Sequence, residues 1–238
     1  MKRIINRLFN SKKNLYRNLS SEAIAIASFP RSGNTWVRIL LSDIILQQIG
    51  KETATKLPIH QDHTIPDIHV TRGEYTIAKE VKLPQQLFKT HNQYANHGRK
   101  SVYLFRNAPD ALVSYYHFYL RYENKRKKTE GKSINDFCLE YYKEWESHLL
   151  SYLNGIFTNK NVYAFSYENL NRDPITTLRQ ILKVINLPVN LTQIEKAVFN
   201  HTFQKQQKIE ILNPSHQGER FFRKGKVGGS AEELEKEV

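Results

Sequence analysis

Residues 23–38 read Ala-Ile-Ala-Ile-Ala-Ser-Phe-Pro-Arg-Ser-Gly-Asn-Thr-Trp-Val-Arg, and the order of apolar, breaking and polar residues here decides the fold. The run 23–29 is short, rich in Ile and closed by Pro30, the pattern of a strand buried on both faces. Trp36, Val37, Leu40, Leu41, Ile44 and Ile45 follow at helical spacing, which predicts a helix over 36–48. Between them lies a loop with one glycine, one arginine and three short polar side chains. Free N–H groups at a helix start, together with the helix dipole, favour an anion. Gly33 permits close approach of the backbone, Ser32, Asn34 and Thr35 add donors, and Arg31 adds a planar cationic fork. Capping alone would account for Asn34 or Thr35. It does not account for Arg31 beside Ser-Gly, nor for Trp36 just inside the helix. The pattern G-x-x-x-x-G-K-[ST] is absent, so no Mg²⁺-bridged triphosphate site is expected here.

Two more strand–loop–helix units flank this one. Residues 101–105 (SVYLF) lead through Arg106-Asn107-Ala108-Pro109-Asp110 to an aromatic-rich helix over 111–121. Residues 162–165 (VYAF) lead through 166–174 to a helix over 175–186, and a short strand over 86–90 precedes the second unit. Strands alternating with helices predict an α/β fold: a single domain over 23–238, with a central, mostly parallel sheet flanked by helices, behind a basic segment 1–22. Ligands of such sheets bind beyond the carboxyl ends of the strands, where all these loops fall.

Composition narrows the partners. The chain has 238 residues and a formal net charge of +13, from 36 Lys and Arg against 23 Asp and Glu, which favours an anionic ligand or surface. A single cysteine, Cys138, excludes an internal disulfide and fits a reducing compartment. No stretch approaches the roughly 20 apolar residues of a membrane span, so a cytoplasmic protein is expected. Ile4, Ile5, Leu8 and Tyr16 are spaced for a short amphipathic helix packing on its own domain. The polar run 121–132 reads as a surface loop.

Three motifs together resemble the sulfotransferase family. Pro30-Arg31-Ser32-Gly33-Asn34-Thr35-Trp36 is similar to the family's 5'-phosphosulfate loop, Pro-Lys-Ser-Gly-Thr-Thr-Trp, with Arg31 for Lys and Asn34 for Thr. Residues 103–118, YLFRNAPDALVSYYHF, resemble its 3'-phosphate motif, which implies that Arg106 and Ser114 hold that phosphate. Phe221-Phe222-Arg223-Lys224-Gly225-Lys226-Val227-Gly228 resembles the basic loop wrapped over the same group, with Arg223 and Lys224 supplying charge and Gly225 a bare N–H. The resemblance covers residues 23–228. It implies a nucleotide-kinase-like sulfotransferase architecture, binding of 3'-phosphoadenosine 5'-phosphosulfate (PAPS), and release of 3'-phosphoadenosine 5'-phosphate (PAP).

Phe88-Lys89-Thr90-His91 ends the short strand, and residues two apart on a strand share a face, which sets Lys89 beside His91. A neutral imidazole accepts a proton from an alcohol near pH 7, and an adjacent ammonium stabilises developing negative charge. The family's Lys-Thr-His matches residue for residue, which implies that His91 is the general base, with Lys89 and Arg31 catalytic beside it. Asn92-Gln93 replaces the family's hydrophobic residue and proline, read as a change in acceptor shape. His148 resembles an acceptor-pocket position. Trp36, Tyr167 (in a segment resembling Tyr-Glu-Asp-Leu) and Phe203 are the adenine candidates. Loops 121–132 and 53–75, the latter with His60, His63 and His69, face the acceptor in this reading.

The polar, basic character of those loops points to a small-molecule or glycan acceptor with a hydroxyl or amine, and neither a metal nor a nucleic-acid partner is expected. Two rivals remain at this point: a nucleotide kinase of similar architecture, and a basic nucleic-acid-binding protein.

Overall fold

The computed structural model describes residues 15–50, 64–71, 82–159, 161–212 and 221–234. Strand β1 (Ile24–Ser28) is buried along its whole length because it lies second in a four-stranded sheet of order β2-β1-β3-β4. Its partners are β2 (Leu87–Thr90), β3 (Ser101–Phe105) and, beyond β3, β4 (Val162–Ser166). Every pairing is parallel, with Ile26 opposite Lys89 on one side and Val102 on the other. All four carboxyl ends therefore reach the same rim.

Alternation along β1 sorts the core. Ile24 and Ile26 join Val102 and Leu104 of β3 on one face, under helix α1 (Asn34–Gln48) and helices α5 (Pro174–Val184) and α6 (Leu191–Asn200). The small Ala25 and Ala27 occupy the other face, where Tyr103 stacks on Tyr152 of α3 (Ile134–Asn159) at 4.0 Å and 2°. A third cluster joins Phe29 to α2 (Ala108–Arg121) and α3 through Leu112, Tyr115, Phe137 and Tyr141.

Helix starts follow local chemistry and lie earlier than periodicity alone places them. Gly33, at φ 94°, caps α1, so that helix begins at Asn34 rather than 36. Asn107 accepts the Asp110 N–H at 2.9 Å and Pro109 sits in the first turn, which brings α2 forward to Ala108. Ser166 and Asp173 cap the short α4 (Tyr167–Arg172) and α5 in the same way, so a stretch expected as loop is largely helical. Helix α7 (Phe203–Leu212) precedes a C-terminal strap, 221–234, that crosses the rim. Tyr16 and Leu19 pack on the domain, whereas Ile4, Ile5 and Leu8 lie outside the described residues. So do His60 and His63 of the expected acceptor loop. Residues 123–128, expected as open loop, form a 3-10 turn.

Candidate active site

A cleft of about 740 Å³ opens at the carboxyl rim, between the loops after β1, β2 and β3 and the C-terminal strap. Arg31, Gly33, Asn34, Thr35, Trp36, Lys89, His91, Arg106, Ser114, Tyr167, Phe203, Arg223, Lys224 and Gly225 all line it, so the three separated motifs do converge.

The loop after β1 is tightly shaped. Arg31 adopts a left-handed φ of 68°, a conformation non-glycine residues seldom take. A Cβ on Gly33 would stand 2.8 Å from the Tyr167 ring, so only glycine lets the two approach. Ser32 is buried and absent from the cleft's lining, and its Oγ has no hydrogen-bond partner among the described residues. Asn34 faces inward: its amide donates to the Ile26 carbonyl at 3.0 Å and to Ser28 Oγ at 3.2 Å. The donor expected for a ligand thus ties the loop to β1 instead.

The Arg31 guanidinium lies over Phe221 at 4.1 Å and near Phe118 at 5.5 Å. It donates from Nε to Ser114 Oγ at 3.1 Å and from Nη2 to the Phe221 carbonyl at 2.7 Å. Burial and the neighbouring Arg106 charge pull it down to about 10, still protonated at pH 7. The side chain expected beside Lys89 therefore leans toward the Arg106 end of the cleft.

Arg106 stacks on the Tyr167 ring at 4.3 Å, donates to the Lys226 carbonyl at 3.1 Å, and lies 3.5 Å from Asp110 Oδ2. Its buried Nε has no partner among the described residues. Asp110 also accepts the Gly228 N–H at 2.7 Å and the Ser230 N–H at 2.9 Å. Burial would raise this carboxyl, but those donors and Arg106 together hold it below its usual range. At the strap's other end Glu210 accepts the N–H groups of Phe221 at 2.7 Å and Phe222 at 2.9 Å, and pairs with Arg121.

The strap's cations are matched internally. Arg223 and Lys224 meet Glu233 at 2.8 and 2.9 Å, Lys224 also meets Glu232 at 3.1 Å, and Lys226 pairs with Glu232. Glu233 falls to about 2, because Lys224, Arg223 and His117 outweigh the burial that would raise it. Gly225, at φ 63°, lies against Phe203, whose ring would stand 2.5 Å from an added Cβ, and its carbonyl accepts from Tyr167. Trp36 and Tyr167 meet edge-on at 6.4 Å, and the Trp36 N–H donates to the His201 carbonyl at 2.8 Å.

At the end of β2, His91 Nδ1 lies 2.7 Å from the Ser28 carbonyl. A carbonyl only accepts, so Nδ1 carries the proton and Nε2 keeps its lone pair. Burial first, then the Lys89 ammonium, push His91 well below its usual value, so it is neutral at pH 7. Lys89 pairs with Asp67 at 2.6 Å, a contact that the sequence did not signal. His148 does not line the cleft. It is 4% exposed, bonded through Nδ1 to Tyr103 at 3.2 Å and packed beside Phe29 and Tyr152; burial pulls it down to about 4. Asn92 and Gln93 do not line the cleft either: the Asn92 amide donates to Tyr16 and Gln93 to Ser147.

Residues 21–238 match the sulfotransferase domain, and the chain belongs to that family. Among curated relatives, cytosolic sulfotransferase 7 of Arabidopsis thaliana is 28% identical, over 90% of this chain and 74% of its own. Sulfotransferase 1A1 of Bos taurus is 27% identical, over 86% and 75%. Two solved structures share the fold. One is a mouse sulfotransferase complexed with PAP, with TM-score 0.64 and 22% identity over 96% of this chain and 83% of that one. The other is a retinol dehydratase complexed with retinol and PAP, with TM-score 0.65 and 18% identity over 96% and 82%.

Proposed function

We propose that this enzyme of the sulfotransferase family transfers a sulfuryl group from PAPS to a hydroxyl or amine of a small-molecule or glycan acceptor, with His91 as general base. The relation of His91 to the Ser28 carbonyl carries the reading: it leaves a neutral imidazole with its Nε2 lone pair at the cleft. Bound PAPS supplies the sulfuryl group and departs as PAP.

The residues present suit that nucleotide. Arg106 lines the cleft with a buried Nε that has no partner among the described residues, and an anion there is the ligand that would satisfy it; Ser32 Oγ is likewise buried and unpaired among them, but Ser32 is absent from the lining. Arg31, Arg106 and Ser114 form one cationic, hydroxyl-bearing corner suited to a 3'-phosphate. The N-terminal turn of α1, with Ser32, Gly33 and Thr35, suits the 5' end. Trp36 and Phe203 offer ring faces for adenine. Lys89 stabilises negative charge beside His91, and Arg31 acts chiefly in binding because it is turned toward Ser114. We assign residues 23–238 to this activity and a cytoplasmic location, in line with relatives named cytosolic sulfotransferases.

The test is transfer of radiolabelled sulfate from PAPS to a panel of phenols, alcohols, amines and sugars. Labelled product with at least one acceptor class is expected, together with its loss in His91→Ala. Full turnover by His91→Ala would remove His91 from the mechanism.

A further inference from the structure

His91 stands just past the last residue of β2, where a strand end is free to fray unless something holds it. Thr90 before it and Asn92 after it are both tied to one hydroxyl. Tyr16 OH lies 3.2 Å from Thr90 Oγ1 and accepts from Asn92 Nδ2 at 2.6 Å. Thr90 Oγ1 also accepts the Asn92 N–H at 3.0 Å. His69 Nε2 lies 3.3 Å from the same threonine hydroxyl. On the far side the Asn92 carbonyl accepts from Tyr152 OH at 2.8 Å.

Tyr16 is itself fixed. Its ring is buried and meets Phe88 edge-on at 5.8 Å and His97 at 5.7 Å, while its carbonyl accepts from Arg99 at 3.2 Å. Its hydroxyl therefore joins the turn 15–18 to both neighbours of the candidate base. Nothing in this arrangement touches the cleft, and Tyr16 is absent from its lining.

We infer that Tyr16 is a positioning residue for His91: through Thr90 and Asn92 its hydroxyl fixes the peptide that aims the imidazole at the acceptor. The inference rests on His91 being the base. It also gives Asn92 a purpose, since an apolar side chain there would leave the phenol with one partner fewer. Small misplacements of a reacting group carry large rate penalties, so the effect belongs in kcat and not in nucleotide affinity.

Tyr16→Phe removes only the hydroxyl and keeps the ring packing. Relative to the parent enzyme, kcat should fall about tenfold while the dissociation constant of PAP, measured by calorimetric titration, stays within about twofold. Asn92→Leu should show the same split, and the double variant should lose little more than either single one. In a His91→Ala background, Tyr16→Phe should lower the residual rate no further. An unchanged kcat in Tyr16→Phe, a matching loss of PAP affinity, or a full additional loss in the His91→Ala background would overturn the inference. A fully active His91→Ala enzyme would instead sink the base assignment on which it rests.

Discussion

His91 Nδ1 and the Ser28 carbonyl, 2.7 Å apart, join the ends of two neighbouring parallel strands. The bond selects the tautomer with an unprotonated Nε2, and burial then keeps the ring uncharged. A histidine base with an ordinary value near 6.5 would lose activity as pH falls through that point. Here the folded value is depressed, so the acid limb moves down. The rate against pH for sulfuryl transfer should stay flat through pH 6.5 and fall only in more acidic buffer. A midpoint at or above 6.5 in kcat/KM would contradict that environment.

Asp110 latches the strap with two N–H bonds and faces Arg106. Its carboxyl is depressed in the folded state, so its contribution to stability is fully present above the unfolded value of about 4 and is lost as pH falls through the folded one. Asp110→Asn should therefore melt below the parent at pH 7, and the gap should close on acidification below about pH 4. A gap that did not change with pH would show that the charge of Asp110 has no part in the latch.

Gly33 combines a φ of 94° with a Tyr167 ring that leaves no room for a methyl group. That ring is held by Arg106 and by the Gly225 carbonyl, so it has little freedom to withdraw. Gly33→Ala should cost about 1–3 kcal/mol in thermal unfolding through backbone strain. It should also weaken PAP binding about tenfold or more, because the displaced ring carries Arg106 with it. Unaltered melting and binding would mean that the loop relaxes without consequence.

Much of this was legible where the signals are local. The run 23–38 showed strand, loop and helix in order, since burial on both faces, a breaker and helical periodicity fall within sixteen residues. Arg106 and Ser114 are paired by the resemblance to the family's 3'-phosphate motif, and both line the cleft. Other features depend on contacts between distant segments. Asp67 pairs with Lys89 across 22 positions, from a segment without periodicity. Asn34 could be seen as a donor, but its inward turn depends on the Ile26 carbonyl in the strand beneath it. His148 stays out of the cleft lining because its ring packs against Tyr103 and Tyr152 and bonds the Tyr103 hydroxyl, which comes from β3, 45 positions away. The charges of Arg223 and Lys224 could be read as free cations only while Glu232 and Glu233 stood apart from them in the chain.

The most direct test of the nucleotide site compares PAP with adenosine 5'-monophosphate, which differs only in lacking the 3'-phosphate, by calorimetric titration at fixed salt. Arg31, Arg106 and Ser114 converge on one corner, and charge-assisted contacts contribute about 1.5–3 kcal/mol each. PAP is therefore expected to bind at least about a hundredfold more tightly, with the advantage largely lost in Arg106→Ala. Equal affinities for the two nucleotides would contradict the assignment of that corner.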